Sequence, residues 1–575
     1  MNAAALKQAG RALAQKALQW LRSLPDWAWG IPPLLAVVLV GVTNRLYVDI
    51  DNYLISLVLN GLYGEGWYQL IHPWMNMALR ALSRAWPLAD WFALSMRIAV
   101  AAAMFWCGVL LAKAVPFGAK RGLIYGVFLL FLLREELFNK NFTICTALLA
   151  AVAVLTLALG LRRPMGPAAA WVAAGLASFA CMLRSDSFLL LVPFWALDLA
   201  VWLLFCRRDA LRQTLTRALR QLAPTLLCLA VLAGTQAWYS ACTPFGEAQA
   251  YNDARVALVD FSIKSWEEAE AELTAAGLTQ TDYEALRSAY FADSEVFPPE
   301  QLERVAQAVK TSFSPALLRN LPRVAQEARI AWNDSSALRR VAVLAVLCTL
   351  CALWAARSRA AVLELLCAWG GAGLIVLYFG LLGRVRDRVI LGVLLGVLVL
   401  ALLLLAFAPP RGTRRTAWVR RAGCAALGLG CLWALAHCNF GYLQLAANAC
   451  SERDDLPAAP SQALYVWNPM LLDLDMTERY MERGKLPPRA YLRTNLHYGE
   501  WTVGQPYFNE TLAEVGAPNL LRAVAQRPDT YFVSLRTEPL QSYLQQHYAP
   551  GAQFVQVDTF DVFAIGEVPV WQLQP

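Results

Sequence analysis

Two carboxylates, Asp49 and Asp51, stand where the first apolar run of the chain ends, and three guanidiniums, Arg384, Arg386 and Arg388, crowd into the stretch Gly383 to Arg388. Side by side, two carboxylates can share a proton, lifting one toward general-base range, or hold a divalent cation. An extended segment would place Asp49 and Asp51 on one side, whereas a helix would turn them ~200° apart. Asp51 capping a helix over Tyr53 to Leu62 is the plainer alternative. Guanidiniums fork onto phosphate oxygens two at a time, so the arginine set reads as a site for an anionic ligand. Arg134, Glu135, Glu136, Lys140, Arg184, Asp186 and Asp387 lie at the ends of other apolar runs, and His72 precedes Pro73.

The elements that position these residues are membrane spans. Of 575 residues 58% are hydrophobic and only 16% charged, far from the soluble average of roughly a quarter. At ~20 residues per crossing there are about eleven apolar runs. They are Ile31 to Val42, Phe92 to Ala112, Leu123 to Leu133, Phe142 to Leu161, Ala168 to Leu183, Ser187 to Cys206, Ala223 to Ala241, Val341 to Ala356, Ala361 to Leu382, Val389 to Ala408 and Ala422 to His437. The first follows a basic segment but has no small-residue cleavage site after it, so it is expected to stay as a span. Basic residues recur at alternate connections, among them Lys113, Lys120, Arg121, Arg162, Arg163 and the group from Arg207 to Arg220. The positive-inside rule then expects a cytoplasmic N-terminus, an extracytoplasmic C-terminus and the polar set above at the outer face. The net charge of +8 is thereby a topology signal, and no nucleic-acid partner is implied.

The expected fold class is a polytopic all-α membrane bundle with a helical outer insertion and a small C-terminal α/β extracytoplasmic domain. Its divisions are a basic segment at 1–30, helices at 31–242 with a first outer loop at 49–91, the insertion at 243–337, helices at 338–440 and the C-terminal domain at 441–575. The first outer loop is rich in Trp, Leu and Met with Arg80 and Arg84 between, which suits helices lying in the interface. In the insertion, Thr279 to Asp282 resembles a capping box, and Pro299 opens a further helix. The alternating runs Ala463 to Trp467, Thr530 to Leu535, Phe554 to Val557 and Val562 to Ile565 read as strands, with helices over Leu471 to Arg483 and Pro539 to His547. Most of the thirteen cysteines sit in apolar runs as small hydrophobes. Cys348 and Cys351 have metal-ligand spacing but no second pair. Cys242, Cys438 and Cys450 lie toward the outer face. Asn141-Phe142-Thr143 and Asn509-Glu510-Thr511 fit glycosylation acceptors.

A first span ending in acids, an aromatic interfacial stretch, a His-Pro pair about twenty residues on and an extracytoplasmic C-terminal domain resemble the GT-C superfamily of membrane glycosyltransferases. The resemblance is closest to the branch of protein O-mannosyltransferases and lipid A aminoarabinose transferases. It extends also to uncharacterised bacterial multispan proteins. That branch reads Asp-Glu, Tyr, then His-Pro-Pro in the first outer loop; here stand Asp49-Ile50-Asp51, Tyr53 and His72-Pro73-Trp74. Asn52 occupies the place of the Glu and Trp74 that of the second Pro. The resemblance implies attack of an acceptor hydroxyl on the anomeric carbon of a sugar carried by a polyprenyl phosphate, with Asp49 or Asp51 taking the proton. By position, Arg184, Arg384, Arg386 and Arg388 are the donor-phosphate candidates. His72, Arg134, Glu135, Glu136 and Asp186 are secondary, and a divalent cation, Mg or Mn, would sit on Asp49 and Asp51. The partners so implied are membrane lipid, the lipid-linked sugar and a glycan, lipid or protein acceptor.

Two other classes fit parts of the chain. A transporter or flippase needs ionisable groups within the bilayer, for which Asp198 is the main candidate, while Arg97 and Glu364 lie near span ends and can snorkel. A non-catalytic glycan-binding or assembly protein would use Trp467, Tyr491, Trp501 and Tyr507 for stacking on sugar, although a domain core would use them equally.

Overall fold

The computed structural model describes residues 3–43, 50–59, 61–62, 68–86, 89–134, 141–205, 208–311, 315–356, 358–408, 414–438, 463–481, 487–499, 502–562 and 565–575. Helices dominate. The first part of the chain folds as α1 (Ala3–Ser23), α2 (Ile31–Thr43), α3 (Ile50–Leu59), α4 (Pro73–Ala85), α5 (Trp91–Ala114), α6 (Ala119–Arg134), α7 (Phe142–Arg162), α8 (Pro167–Leu189), α9 (Val192–Phe205) and α10 (Arg208–Cys242). A group of shorter helices follows: α11 (Phe245–Val259), α12 (Trp266–Ala275), α13 (Gln280–Arg287), α14 (Pro299–Val309) and α15 (Leu321–Asp334). Four long ones then complete the bundle, α16 (Ser336–Ala356), α17 (Arg359–Leu381), α18 (Asp387–Phe407) and α19 (Arg414–Ala436).

Among the described residues eight helices are long and apolar enough to cross a membrane: α2 with its preceding 3-10 turn, α5, α7, α8, α10, α16, α17 and α18. Of the three remaining expected spans α6 and α9 are short, at 16 and 14 residues, and α19 has 23 residues but is apolar only over Arg421–Ala436. The run Ser187 to Cys206 is divided, because α8 continues to Leu189 and α9 starts afresh at Val192. At the centre stands α7, whose apolar window is wholly buried. Its sequence is small and apolar on every side, which suits a helix enclosed by others rather than one facing lipid on a stripe. Its threonines return their hydroxyls to the preceding turn, Thr146 to Phe142 O and Thr156 to Val152 O, so no polar group is stranded.

The first outer loop departs from the expected interfacial layout. α3 is not a surface helix: Tyr53, Leu54, Ile55, Leu57 and Val58 are all buried in protein. α4 keeps the expected character, with Trp74, Met77 and Leu82 exposed on one side and Met75 and Leu79 buried on the other. Its start is fixed by His72, whose Nδ1 accepts from the Trp74 amide while Nε2 meets Leu232 O at 3.0 Å. A carbonyl can only accept, so Nε2 carries the proton. Burial also lowers the His72 pKa, leaving it a neutral cap that ties α4 to α10.

The helices after α10 begin as their sequences dictate. Ser265 with Glu268 and Thr279 with Asp282 form reciprocal capping boxes for α12 and α13, and Pro299 opens α14. Beyond residue 463 the chain forms a five-stranded sheet of β1 (Leu464–Trp467), β2 (Asn495–His497), β3 (Thr530–Val533), β4 (Gln553–Val562) and β5 (Gly566–Gln574) in the order β2-β1-β3-β5-β4. β1 runs parallel to β2 and β3, and the β4–β5 hairpin joins antiparallel through β5. Of the strand expected at Val562 to Ile565, Val562 ends β4, Ile565 precedes β5, and residues 563–564 lie outside the described residues; β2 was not foreseen because three residues give no alternation to read.

Asp293 locks the helices before α14 to this sheet unit. It is fully buried, and its carboxylate accepts from Tyr543 (2.6 Å), Tyr548 (2.7 Å), Asn519 (2.8 Å) and the amides of Glu295 and Val296. His547 and Asp282 add a 2.7 Å contact beside it. Removing a buried acceptor strands every donor that pointed at it. Asp293→Ala is therefore expected to lose about 3 kcal/mol of stability and Tyr548→Phe about 1 kcal/mol. Thermal unfolding of the solubilised protein measures both, and an unchanged Asp293→Ala melt would show that the lock holds nothing.

Candidate functional site at one end of the bundle

The site is built where α3, α7, α8, α11 and the connection into α18 meet. Asn52, one residue after Asp51, accepts from the Phe142 amide at 3.0 Å and so fixes the start of α3 on the start of α7. Asn141 caps α7 by accepting from the Thr143 amide at 2.7 Å. The Thr143 hydroxyl in turn accepts from Arg184 Nη1 at 2.8 Å, and the guanidinium lies 5.2 Å from the Phe142 ring centre. Arg184 reaches across because α8 breaks there, its backbone at φ −165°, ψ 98°. From the far side Arg388, in the first turn of α18, donates to Asp51 Oδ2 at 3.0 Å.

Tyr68 closes the cluster. Its amide and carbonyl are both clamped by the buried Asn76 side chain, and its ring meets the edge of Phe142 at 6.4 Å. Burial pushes the phenol far above its ordinary range and Asp51 adds to the shift, while Arg184, Arg255 and Arg388 oppose it. Tyr68 is thus a neutral donor among three cations and one carboxylate. Arg255 comes from α11, buried, with Nη2 on Asn252 Oδ1 at 3.2 Å. Arg384 pairs with Asp260 at 2.8 Å and lies 5.0 Å from the Phe261 ring centre. Burial pulls its pKa down and Asp260 holds it up. Near by, Asp186 at the end of α8 repels Asp253 of α11; burial and that like charge raise the Asp253 pKa.

Of the residues expected from sequence, the fold brings together Asp51, Arg184, Asp186, Arg384 and Arg388. Arg386 stands at the N-cap of α18 with its side chain exposed. Arg134 is at the same end of the bundle but is turned away, 4.7 Å from the Trp433 ring centre. His72 is spent on capping α4. Asp49, Glu135 and Glu136 lie outside the described residues, as does Lys140. The extended reading of the acid pair fails at Asp51, because Ile50 and Asp51 are already helical. Asn141 is buried as a helix cap and Thr143 is engaged by Arg184, so this sequon is no surface loop. Cys348 and Cys351 are free thiols, as are Cys242 and Cys438; Cys450 lies outside the described residues.

Sequence reading passed over Tyr68, Asn76, Asp253, Arg255 and Asp260. Each is one polar residue in an unremarkable stretch, and only the packing of distant segments gathers them. The single available signal was Arg255 as the one basic residue of α11. Among the described residues no three His, Cys, Asp or Glu side chains converge, and Arg388 meets one oxygen, Oδ2, of the Asp51 carboxylate.

No known family profile matches the chain, and no curated protein does. Three solved structures match, all at 14% identity. Two are ArnT from Cupriavidus metallidurans, in the apo state (TM-score 0.32) and bound to undecaprenyl phosphate (TM-score 0.31), each match covering 93% of this chain and 96% of that one. The third is the Archaeoglobus fulgidus oligosaccharyltransferase in complex with Zn and sulfate, at a TM-score of 0.38 over 90% of this chain and 70% of that one. Superposition at this level leaves the reading of the site to its own residues.

The Asp186–Asp253 repulsion has a pH signature. A carboxyl whose folded pKa is raised contributes stability below its unfolded value near 4, and loses it as pH rises through the folded value. Asp253→Asn is therefore expected to melt higher than wild type at pH 7, by under about 1 kcal/mol because the group also faces water. The difference should vanish near pH 4. A variant less stable than wild type at pH 7 would mean that the neighbouring arginines hold Asp253 ionised.

Proposed function

We propose that the chain is a glycosyltransferase of the GT-C type, using a sugar carried on a polyprenyl phosphate at the outer face of a cytoplasmic membrane, with the N-terminus inside and the C-terminus outside. The observation that carries it is the cluster of one carboxylate, Asp51, with Arg388 on it, Arg184 on the neighbouring start of α7, and Tyr68 and Arg255 of α11 close by. Its charge suits a phosphate that leaves bearing a full negative charge. Its depth suits a donor whose lipid stays in the bilayer.

In the proposed reaction the acceptor hydroxyl oxygen bonds to the anomeric carbon as the bond from that carbon to the phosphate oxygen breaks. Its proton passes to a carboxylate of the first outer loop, Asp51 or Asp49, and the electron pair leaves on polyprenyl phosphate. Arg184 and Arg388 balance the developing charge, joined by Arg384, Arg386 and Arg255, and Tyr68 donates from its neutral hydroxyl. General-base help is worth roughly 10²- to 10⁴-fold. Asp51→Asn is accordingly expected to lower transfer of radiolabelled sugar from polyprenyl-phosphate donors at least ~100-fold without lowering the melting temperature by more than a few degrees. Full activity in both Asp51→Asn and Asp49→Asn would remove the base assignment.

No step is assigned to a cation, the positive charge that meets Asp51 being that of Arg388. Transfer is expected to survive EDTA. Loss restored by Mg or Mn would return Asp49 and Asp51 to the cation role.

The transporter reading loses its main support. Asp198 is not an open acid on a path: Arg162 Nη1 meets its Oδ1 at 2.6 Å, and Arg162 Nη2 lies 3.5 Å from Glu364 Oε2. All three are buried, so Glu364 does not snorkel. Arg162 ends α7, about 28 Å along the axis from Thr143 at 1.5 Å per residue, which sets this cluster at the opposite end from the site. Of the aromatics weighed for glycan binding, Trp467 and Tyr507 are buried in the core, Tyr491 is half-buried with its hydroxyl donating to Asp475, and Trp501 lies outside the described residues.

A further inference from the structure

Beside the cluster is a cavity of about 760 Å³, within the ~300–1,000 Å³ usual for ligand sites. Its floor is the end of α11 and the residues after it, 258–263; one wall is α15 and the other is the connection from α17 to α18. That connection is forced close. Gly383 sits at φ +83°, a Cβ there would run into the Ser262 hydroxyl, and the Ser262 amide donates to Leu382 O at 3.0 Å. The same six residues serve both places: Arg384 and Arg388 reach Asp260 and Asp51, while Arg386 lines the cavity.

The charges on the cavity wall cancel. Asp260 is taken by Arg384, and Arg323 by Glu327 at 2.7 Å, with a further 3.3 Å contact to the Ser262 hydroxyl. Arg287, Arg386, Asp334 and Asp387 complete the charged lining, with Asp387 Oδ1 accepting from the Arg388 amide at 2.7 Å. A wall of equal and opposite charges offers no net attraction to a phosphate, and ionic groups penalise an acyl chain laid against them. Hydroxyl groups satisfy it, because each donates to a carboxylate and accepts from a guanidinium.

We propose that this cavity is the acceptor site and that the acceptor presents there a neutral, hydroxyl-rich saccharide, one of whose hydroxyls is handed past Arg386 to the Asp51 cluster. This rests on the glycosyltransferase reading above. The transfer balances as already written, with the saccharide oxygen forming the new bond, its proton going to the loop carboxylate and polyprenyl phosphate leaving.

The test is hydrogen exchange of the full chain in nanodiscs with maltopentaose and cellopentaose as neutral probes and pentagalacturonate as the charged one. At least one neutral probe should slow exchange at least ~3-fold across 258–263, 321–335 and 383–387. Pentagalacturonate should not, and in the double variant Arg287→Gln, Asp334→Asn the same neutral probe should leave exchange at its unliganded rate with the melting temperature kept. No protection by either neutral probe, equal protection by pentagalacturonate, or protection that survives the double variant overturns the assignment. Release of polyprenyl phosphate from the donor is followed in parallel. Saccharide protection with no donor consumed removes the glycosyltransferase reading and keeps a saccharide site; donor consumption with no protection does the reverse.

Discussion

The 3.0 Å contact between Asp51 and Arg388 is the constraint on which the site depends. It joins the first turn of α3 to the first turn of α18, residues 337 positions apart, and neither partner is held by local structure alone. Asp51 is placed because α3 buries its apolar face and Asn52 fixes its start on α7. Arg388 is placed because α18 is packed in the interior along most of its length. Both halves of the contact are thus read out from the central helices, and a shift of either would separate carboxylate from cation.

From that contact the arrangement spreads outward in two steps. Arg184 answers it from α8 through Thr143, and Arg384 extends it to Asp260 and so to the segment that follows α11. The helices from α11 to α14 then need support of their own, since they are short and their buried faces are small. Asp293 gives it by gathering three side-chain donors of the C-terminal unit around one carboxylate. An unpaired carboxylate there would be costly; a fully satisfied one makes the two outer segments cohere.

How much of this the sequence revealed follows from which signals are local. The apolar runs are local, and all eleven fall in helices, although run length could not show that α8 passes through Ser187 and ends two residues before α9. The capping boxes at Ser265 and Thr279 are local too and were legible at Thr279. The arginines of Gly383 to Arg388 stood out because three like charges in one short stretch need a reason. What did not show was the pairing. Nothing in the surroundings of Tyr68 tells that it lies by Asp51, nor in those of Arg255 that it lies by Tyr68, and the burial of α3 is hidden because an apolar amphipathic helix reads alike whether lipid or protein covers it. Glu364 was misjudged for the same reason: a charge near a span end can reach water or a buried partner, and Arg162 was the partner.

That buried trio also bears on how the chain enters a membrane. An acid such as Asp198 left in hydrocarbon costs about 3 kcal/mol, and α9, at 14 residues, has little apolar length to offset it. Synthesis runs from the N-terminus, so Arg162 is made before Asp198, and Glu364 is made last. The cation that both acids need therefore precedes them in the order of synthesis.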